Sequence, residues 1–170
     1  MYAELHDLSG RSQLRFTRKL PHSRDKVWRA LTEPEHLAAW FPTTIEGERA
    51  AGAQLRFSFP NDEAPPFEGE MITYDPPSIL EFRWGEDVIR FEIAPDGDGS
   101  MLTLLDTLDA RGKAARDAAG WHVKLDVLAS YLAGKDIADD ESDLWKPLNA
   151  DYAERFGPEA ATIGPPEGFE

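Results

Sequence analysis

Between Gln13 and Leu20 the side chains alternate, with Leu14, Phe16 and Arg18 in one phase and Arg15, Thr17 and Lys19 in the other. A period of two predicts a strand with one buried face, which Pro21 ends. Ser23 is placed to cap a helix with Asp25 in its first turn and an apolar stripe of Val27, Trp28 and Leu31. Thr32 with Glu35 three residues on fits a capping box for a second short helix carrying Leu37, Trp40 and Phe41, which Pro42 stops.

From residue 45 to 108 the period is again two. Leu55, Phe57 and Phe59 alternate with Gln54, Arg56 and Ser58; Leu80, Phe82 and Trp84 with Glu81 and Arg83; Ile89, Phe91 and Ile93 with Arg90 and Glu92. The turn formers PNDEAPP (60–66), DPPS (75–78), GED (85–87) and PDGDGS (95–100) separate these runs, so a meander of antiparallel strands is expected. Met101–Leu108 sets Leu102, Leu104, Asp106 and Leu108 on one side and Met101 and Leu105 with two threonines on the other, a pattern for a strand partly covered on both faces.

The period then returns to 3.6. Trp121, Leu125, Leu128 and Leu132 share one helical face, flanked by Val127 and Tyr131 and opposite His122, Lys124, Asp126 and Ser130, with Gly134 in the place of a C-terminal cap. After an acidic linker, Leu144, Trp145, Leu148, Tyr152 and Phe156 recur at one-turn spacing and predict a last amphipathic helix over 142–156 that docks back on the domain. The order is that of an α+β domain with helices on one face of an antiparallel sheet of about six to seven strands. The segments expected are a polar extension (1–11), the main domain (12–135), the acidic linker with its docking helix (136–157) and a disordered tail (158–170).

Composition narrows the function classes. The 170 residues suffice for one real core. The formal net charge is −14, and residues 136–170 hold ten acidic and two basic side chains. Such a surface disfavours nucleic acid and anionic membranes, which recruit Lys and Arg. Without cysteine there is no disulfide, thiolate metal site or cysteine nucleophile. No apolar run approaches the roughly 20 residues of a membrane span and no signal-peptide pattern opens the chain, so a soluble, cytoplasmic protein is expected.

Catalytic motifs are absent. Gly97 and Gly99 form a GxG without the rest of a dinucleotide site, Gly112-Lys113 lacks a phosphate loop, and DDESD lacks calcium-loop spacing. The four histidines, His6, His22, His36 and His122, form no sequence cluster, so neither a metal nor a cofactor is expected. His122 has two readings: outward beside Lys124 and Asp126, or in a buried turn, where an imidazole with a carboxylate partner such as Asp106 or Glu92 could polarise a ligand. Arg83 and Arg90 read as outward members of cross-strand ion pairs, although they or Arg56 could reach a cavity mouth.

The aromatic residues Trp28, Trp40, Phe41, Phe57, Phe59, Phe82, Trp84, Phe91 and Trp121 all take inward phases. They fit plain core packing, or the wall of an apolar cavity between the sheet and the long helix. The candidate ligand-binding set is Trp28, Trp40, Phe57, Phe82, Trp84, Phe91, Trp121 and Leu125 as apolar wall, with His122 as polar contact; no catalytic residue is assigned.

KVWRALTEPEHLAAWF (26–41), GEMITYDPPSILEFRWG (69–85), GWHVKLDVLASYLAGK (120–135) and WKPLNADYAERFG (145–157) together resemble the bacterial proteins similar to the activator of the heat-shock protein 90 ATPase. These are START-like, helix-grip proteins, in a superfamily that also holds polyketide cyclases and birch-pollen-allergen-like proteins. The resemblance covers residues 12–157 and implies a sheet wrapped around a long C-terminal helix. It implies three functions: non-enzymatic binding of a small hydrophobic or amphipathic ligand, the leading expectation; a co-chaperone that docks on a heat-shock protein 90-type ATPase; or a cyclase or hydrolase with His122 as acid or base. The eukaryotic activators carry a further N-terminal domain, which nothing before residue 12 is expected to replace. A homodimer through the outer sheet or the tail is left open.

Overall fold

The computed structural model describes residues 1–136 and 140–165. Seven strands form one antiparallel sheet in the order β1-β2-β7-β6-β5-β4-β3: β1 Glu4–Leu8, β2 Arg11–Leu20, β3 Gln54–Phe57, β4 Phe67–Asp75, β5 Ile79–Trp84, β6 Asp87–Asp96 and β7 Gly99–Leu108. Helices α1 (Arg24–Thr32) and α2 (Pro34–Trp40) follow β2, and α3 (Ala114–Leu132) and α4 (Glu141–Phe156) follow the sheet. This is a helix-grip α+β fold. The short turns set each hairpin register, pairing Trp84 with Asp87, Asp96 with Gly99 and Asp75 with Ile79.

One face of the sheet carries the core. Leu14, Phe16 and Leu20 of β2, Ile89, Phe91 and Ile93 of β6, and Leu102, Leu104 and Leu108 of β7 are all buried, and the register sets Phe16, Leu104 and Phe91 side by side. The opposite face holds the ion pairs expected of outward residues: Arg90 lies 3.4 Å from Glu81 and 3.1 Å from Glu92.

Several elements differ from the sequence expectation. The extension 1–11 contains β1, which pairs with β2 from Glu4–Arg15 to Leu8–Arg11. As an edge strand with only Leu5 half-buried, β1 is held by its backbone ladder and has no apolar alternation to announce it. Thr32 ends α1 and donates to the Trp28 carbonyl at 2.8 Å, so it caps nothing; α2 begins with Pro34 at its first position after Glu33. Helix α3 starts at Ala114, a full turn and more before Gly120, because Ala114, Ala115, Ala118 and Ala119 are buried yet contribute little hydrophobic signal. Of the expected disordered tail, residues 158–165 are described: Pro158–Ala160 make a 3-10 turn, Ala160 is buried, and the Ile163 amide donates to the Gly112 carbonyl. The remainder, 166–170, lies outside the described residues, as do 137–139 of the acidic linker.

Candidate functional site

Between sheet and α3 the rings meet one another. Trp40 and Phe91 have centroids 6.1 Å apart, Phe57 and Phe82 5.5 Å, Phe57 and Trp84 4.7 Å, and Trp84 and Trp121 6.0 Å. Trp40, Phe57, Phe82, Phe91 and Leu125 are each at most 2% exposed. Trp40 also donates its indole N–H to the Ala30 carbonyl at 2.8 Å, which locks α2 to α1. The residues assigned from sequence to a cavity wall are therefore brought together, but as interlocking core, because edge-to-face rings fill the space that smaller side chains would leave.

A cleft lies elsewhere. With a volume of about 980 Å³, it opens between α1, α2 and the segment 43–49, with Tyr74 of β4 and Pro60 also in its lining. Its wall is mostly apolar: Trp28, Leu37, Phe41, Ile45 and Tyr74 line it, and the exposed Arg29 and Glu46 stand among its polar groups. Trp28 is the one member of the sequence-assigned set found here. Phe41 links cleft and core, since its ring also meets Trp84 at 5.4 Å and Trp121 at 5.8 Å. Arg49 lines the cleft but is spent on the chain itself: it donates to the carbonyls of Thr32, Ile45 and Gly47, holding the 43–49 loop against the end of α1. The period of two expected from residue 45 yields a strand only from Gln54, so sequence reasoning missed this loop; Ile45, apolar inside TTIEGER, was the available signal.

His122 is buried, but beneath α4. The Tyr152 hydroxyl accepts from the Ala3 amide at 2.8 Å and lies 2.8 Å from His122 Nδ1. The hydroxyl thus bridges the Ala3 amide and the imidazole, whose Nε2 lies 3.7 Å from Asp126. Burial lowers the His122 pKa; Asp126 opposes that shift, and Arg18 and the N-terminus add to it. Neither Asp106 nor Glu92 is its partner.

Asp106 instead accepts from the Trp121 indole at 3.1 Å. It lies on the core face of β7 beside Asp87 of β6, and burial together with Asp87 and Asp117 pushes its pKa well above the usual carboxylate range, against the Trp121 hydrogen bond. Lys113 lies 2.7 Å from Asp87 and 2.6 Å from Asp109, and Arg116 lies 2.9 Å from Asp117. Asp87 and Asp117 escaped sequence reasoning because only the sheet register and the early start of α3 bring them to Asp106.

The fold and its long C-terminal helix make this a START-like protein. Residues 21–133 match the family described as "Activator of Hsp90 ATPase homolog 1-like protein", and the chain belongs to that family. No curated protein matches the chain. Among solved structures, a conserved protein of unknown function from Enterococcus faecalis shares 19% identity over 91% of this chain and 90% of its own, with a TM-score of 0.76. A protein from Bordetella parapertussis shares 25% identity over 91% and 92% with a TM-score of 0.71, and CalU16 from Micromonospora echinospora 17% over 89% and 94% with a TM-score of 0.70. Among the described residues no helix is long and apolar enough to cross a membrane.

Proposed function

We propose that the protein binds a small hydrophobic or amphipathic molecule, without covalent chemistry, in the cleft formed by α1, α2 and the 43–49 loop. The observation that carries this reading is the cleft itself: about 980 Å³, walled by Trp28, Leu37, Phe41, Ile45 and Tyr74, with charge among its exposed lining residues. Apolar walls with a few polar groups are what a small-molecule site requires, and this volume lies at the upper end of the usual range. The family assignment supports a ligand-binding fold of this kind. The cyclase or hydrolase reading loses its best residue, since His122 is committed to Tyr152 under α4.

The test is titration with the neutral probe N-phenyl-1-naphthylamine, followed by its fluorescence. Ala38 lines the cleft from an exposed position on α2, so Ala38→Trp fills the cleft without touching the core. The folded protein is expected to take up the probe saturably, and Ala38→Trp to weaken uptake at least about tenfold (about 1.4 kcal/mol). Probe uptake that Ala38→Trp leaves unchanged overturns the reading.

A second reading, docking on a heat-shock protein 90-type ATPase, draws support from the family description and from the closure of the sheet–α3 layer by packed rings. It predicts stimulation of the purified chaperone's ATP hydrolysis, which a ligand carrier does not produce.

A further inference from the structure

At the end of the sheet–α3 layer, Asp87, Asp106 and Asp117 each offer a carboxylate oxygen, all within 4.8 Å of one another. Two ligands on opposite sides of an oxygen-coordinated cation stand about 4–5 Å apart, since such bonds run roughly 2.0–2.6 Å. The three oxygens are therefore spaced to share one ion. A second observation points the same way. Asp106 is 1% exposed, its Oδ2 takes the Trp121 indole, and its Oδ1 has no hydrogen-bond donor among the described residues. A buried carboxylate oxygen left without a partner costs stability unless something else meets it.

The built-in cations serve other oxygens of the cluster. Lys113 and the Asp109 amide both reach Oδ1 of Asp87, and Arg116 reaches Oδ1 of Asp117. Lys113 and Arg116 face four carboxylates, Asp87, Asp106, Asp109 and Asp117, so two negative charges stand uncompensated when all four are ionised.

We propose that Asp87, Asp106 and Asp117 form a binding site for one hard divalent cation, of the Ca²⁺ or Mg²⁺ class, that ties β6 and β7 to the first turns of α3. An all-carboxylate set without imidazole or thiolate favours such ions over zinc or copper. A bound cation would hold all four carboxylates ionised, and the deficit of two charges that then stands matches a divalent ion. Bound there, the ion would cross-link sheet and helix beside Trp121, so it stabilises the fold by mass action.

Trp121, hydrogen-bonded to Asp106, supplies the reporter. Tb³⁺ is titrated into chelator-treated full-length protein and its emission excited through tryptophan, then displaced with Ca²⁺ and with Mg²⁺. Saturable emission at one equivalent is expected, with displacement by Ca²⁺ or Mg²⁺ and a rise in melting temperature on adding the displacing ion. Asp106→Asn and Asp117→Asn should each weaken Tb³⁺ binding at least tenfold. His36→Ala, in the separate, partly exposed Glu33–Glu35–His36 cluster, should not change it. If Asp106→Asn loses its circular dichroism spectrum, Asp117→Asn, at the more accessible member, decides. Absence of saturable emission, or emission that survives both aspartate substitutions, overturns the site and leaves the carboxylates neutralised by protons.

Discussion

At the residue scale, His122 shows how burial favours one protonation state. Tyr152 joins the Ala3 amide to His122 Nδ1, and burial of the ring beneath α4 favours its neutral form. The charges that face the ring come from three elements: Asp126 from α3, Arg18 from β2, and the chain's own N-terminus beside β1. The folded pKa lies below the unfolded value of about 6.5, so the stabilisation is complete above that value and is lost as pH falls through the folded pKa. Urea midpoints measured from pH 7.5 to pH 5 should fall on acidification, by no more than about 1.4 kcal/mol per pH unit from this group, and His122→Gln should flatten the fall. An unchanged slope in His122→Gln would place the acid sensitivity in other groups. The imidazole was visible in the sequence as a choice between outward and buried; its partner on α4, thirty positions on, was not.

At the element scale, the sheet depends on close approach at one glycine. A side chain at Gly69 of β4 would place its Cβ 1.9 Å from the Arg83 carbonyl oxygen and 2.7 Å from a ring carbon of Phe57, both on neighbouring strands. The first obstacle is backbone and cannot rotate away. Gly69→Ala should therefore cost about 3 kcal/mol or more, the upper part of the range for overpacking, as a drop in the urea midpoint. A loss under about 0.5 kcal/mol would mean that β4 and β5 separate more easily than their pairing indicates. Strands β2, β5, β6 and β7 were legible because half-buried strands alternate; β1 was not, because an edge strand without a buried face need not alternate. The first turns of α3 were illegible for a related reason: alanine packs tightly against the sheet but weighs little in any apolar pattern.

At the scale of the whole molecule, α4 completes the domain. Tyr152 is fully buried, Leu144, Trp145, Leu148 and Phe156 pack against the core, and Lys124 meets Glu141 at 2.7 Å. A fully buried large side chain is worth about 1.5–3 kcal/mol, so a chain ending at Lys135 should lose at least about 3 kcal/mol of stability. It should also bind an apolar dye over the uncovered face of α3. Retention of full stability by the shortened chain, read from urea unfolding, would show that α4 only rests on the surface.

What the sequence by itself determined was the α+β order, the core-facing phases of β2, β5, β6 and β7, and the apolar stripe of α4, because each rests on a local period set by backbone geometry. Trp28 among the cleft residues was also within reach, as an inward ring on α1. Three things only the tertiary structure decided: that the rings beneath α3 pack against one another, that the cleft opens beside the 43–49 loop, and that three distant aspartates converge next to Trp121. Periodicity says which way a side chain points, whereas these depend on how far apart the elements come to rest, a distance set by the volumes of all the side chains packed between them.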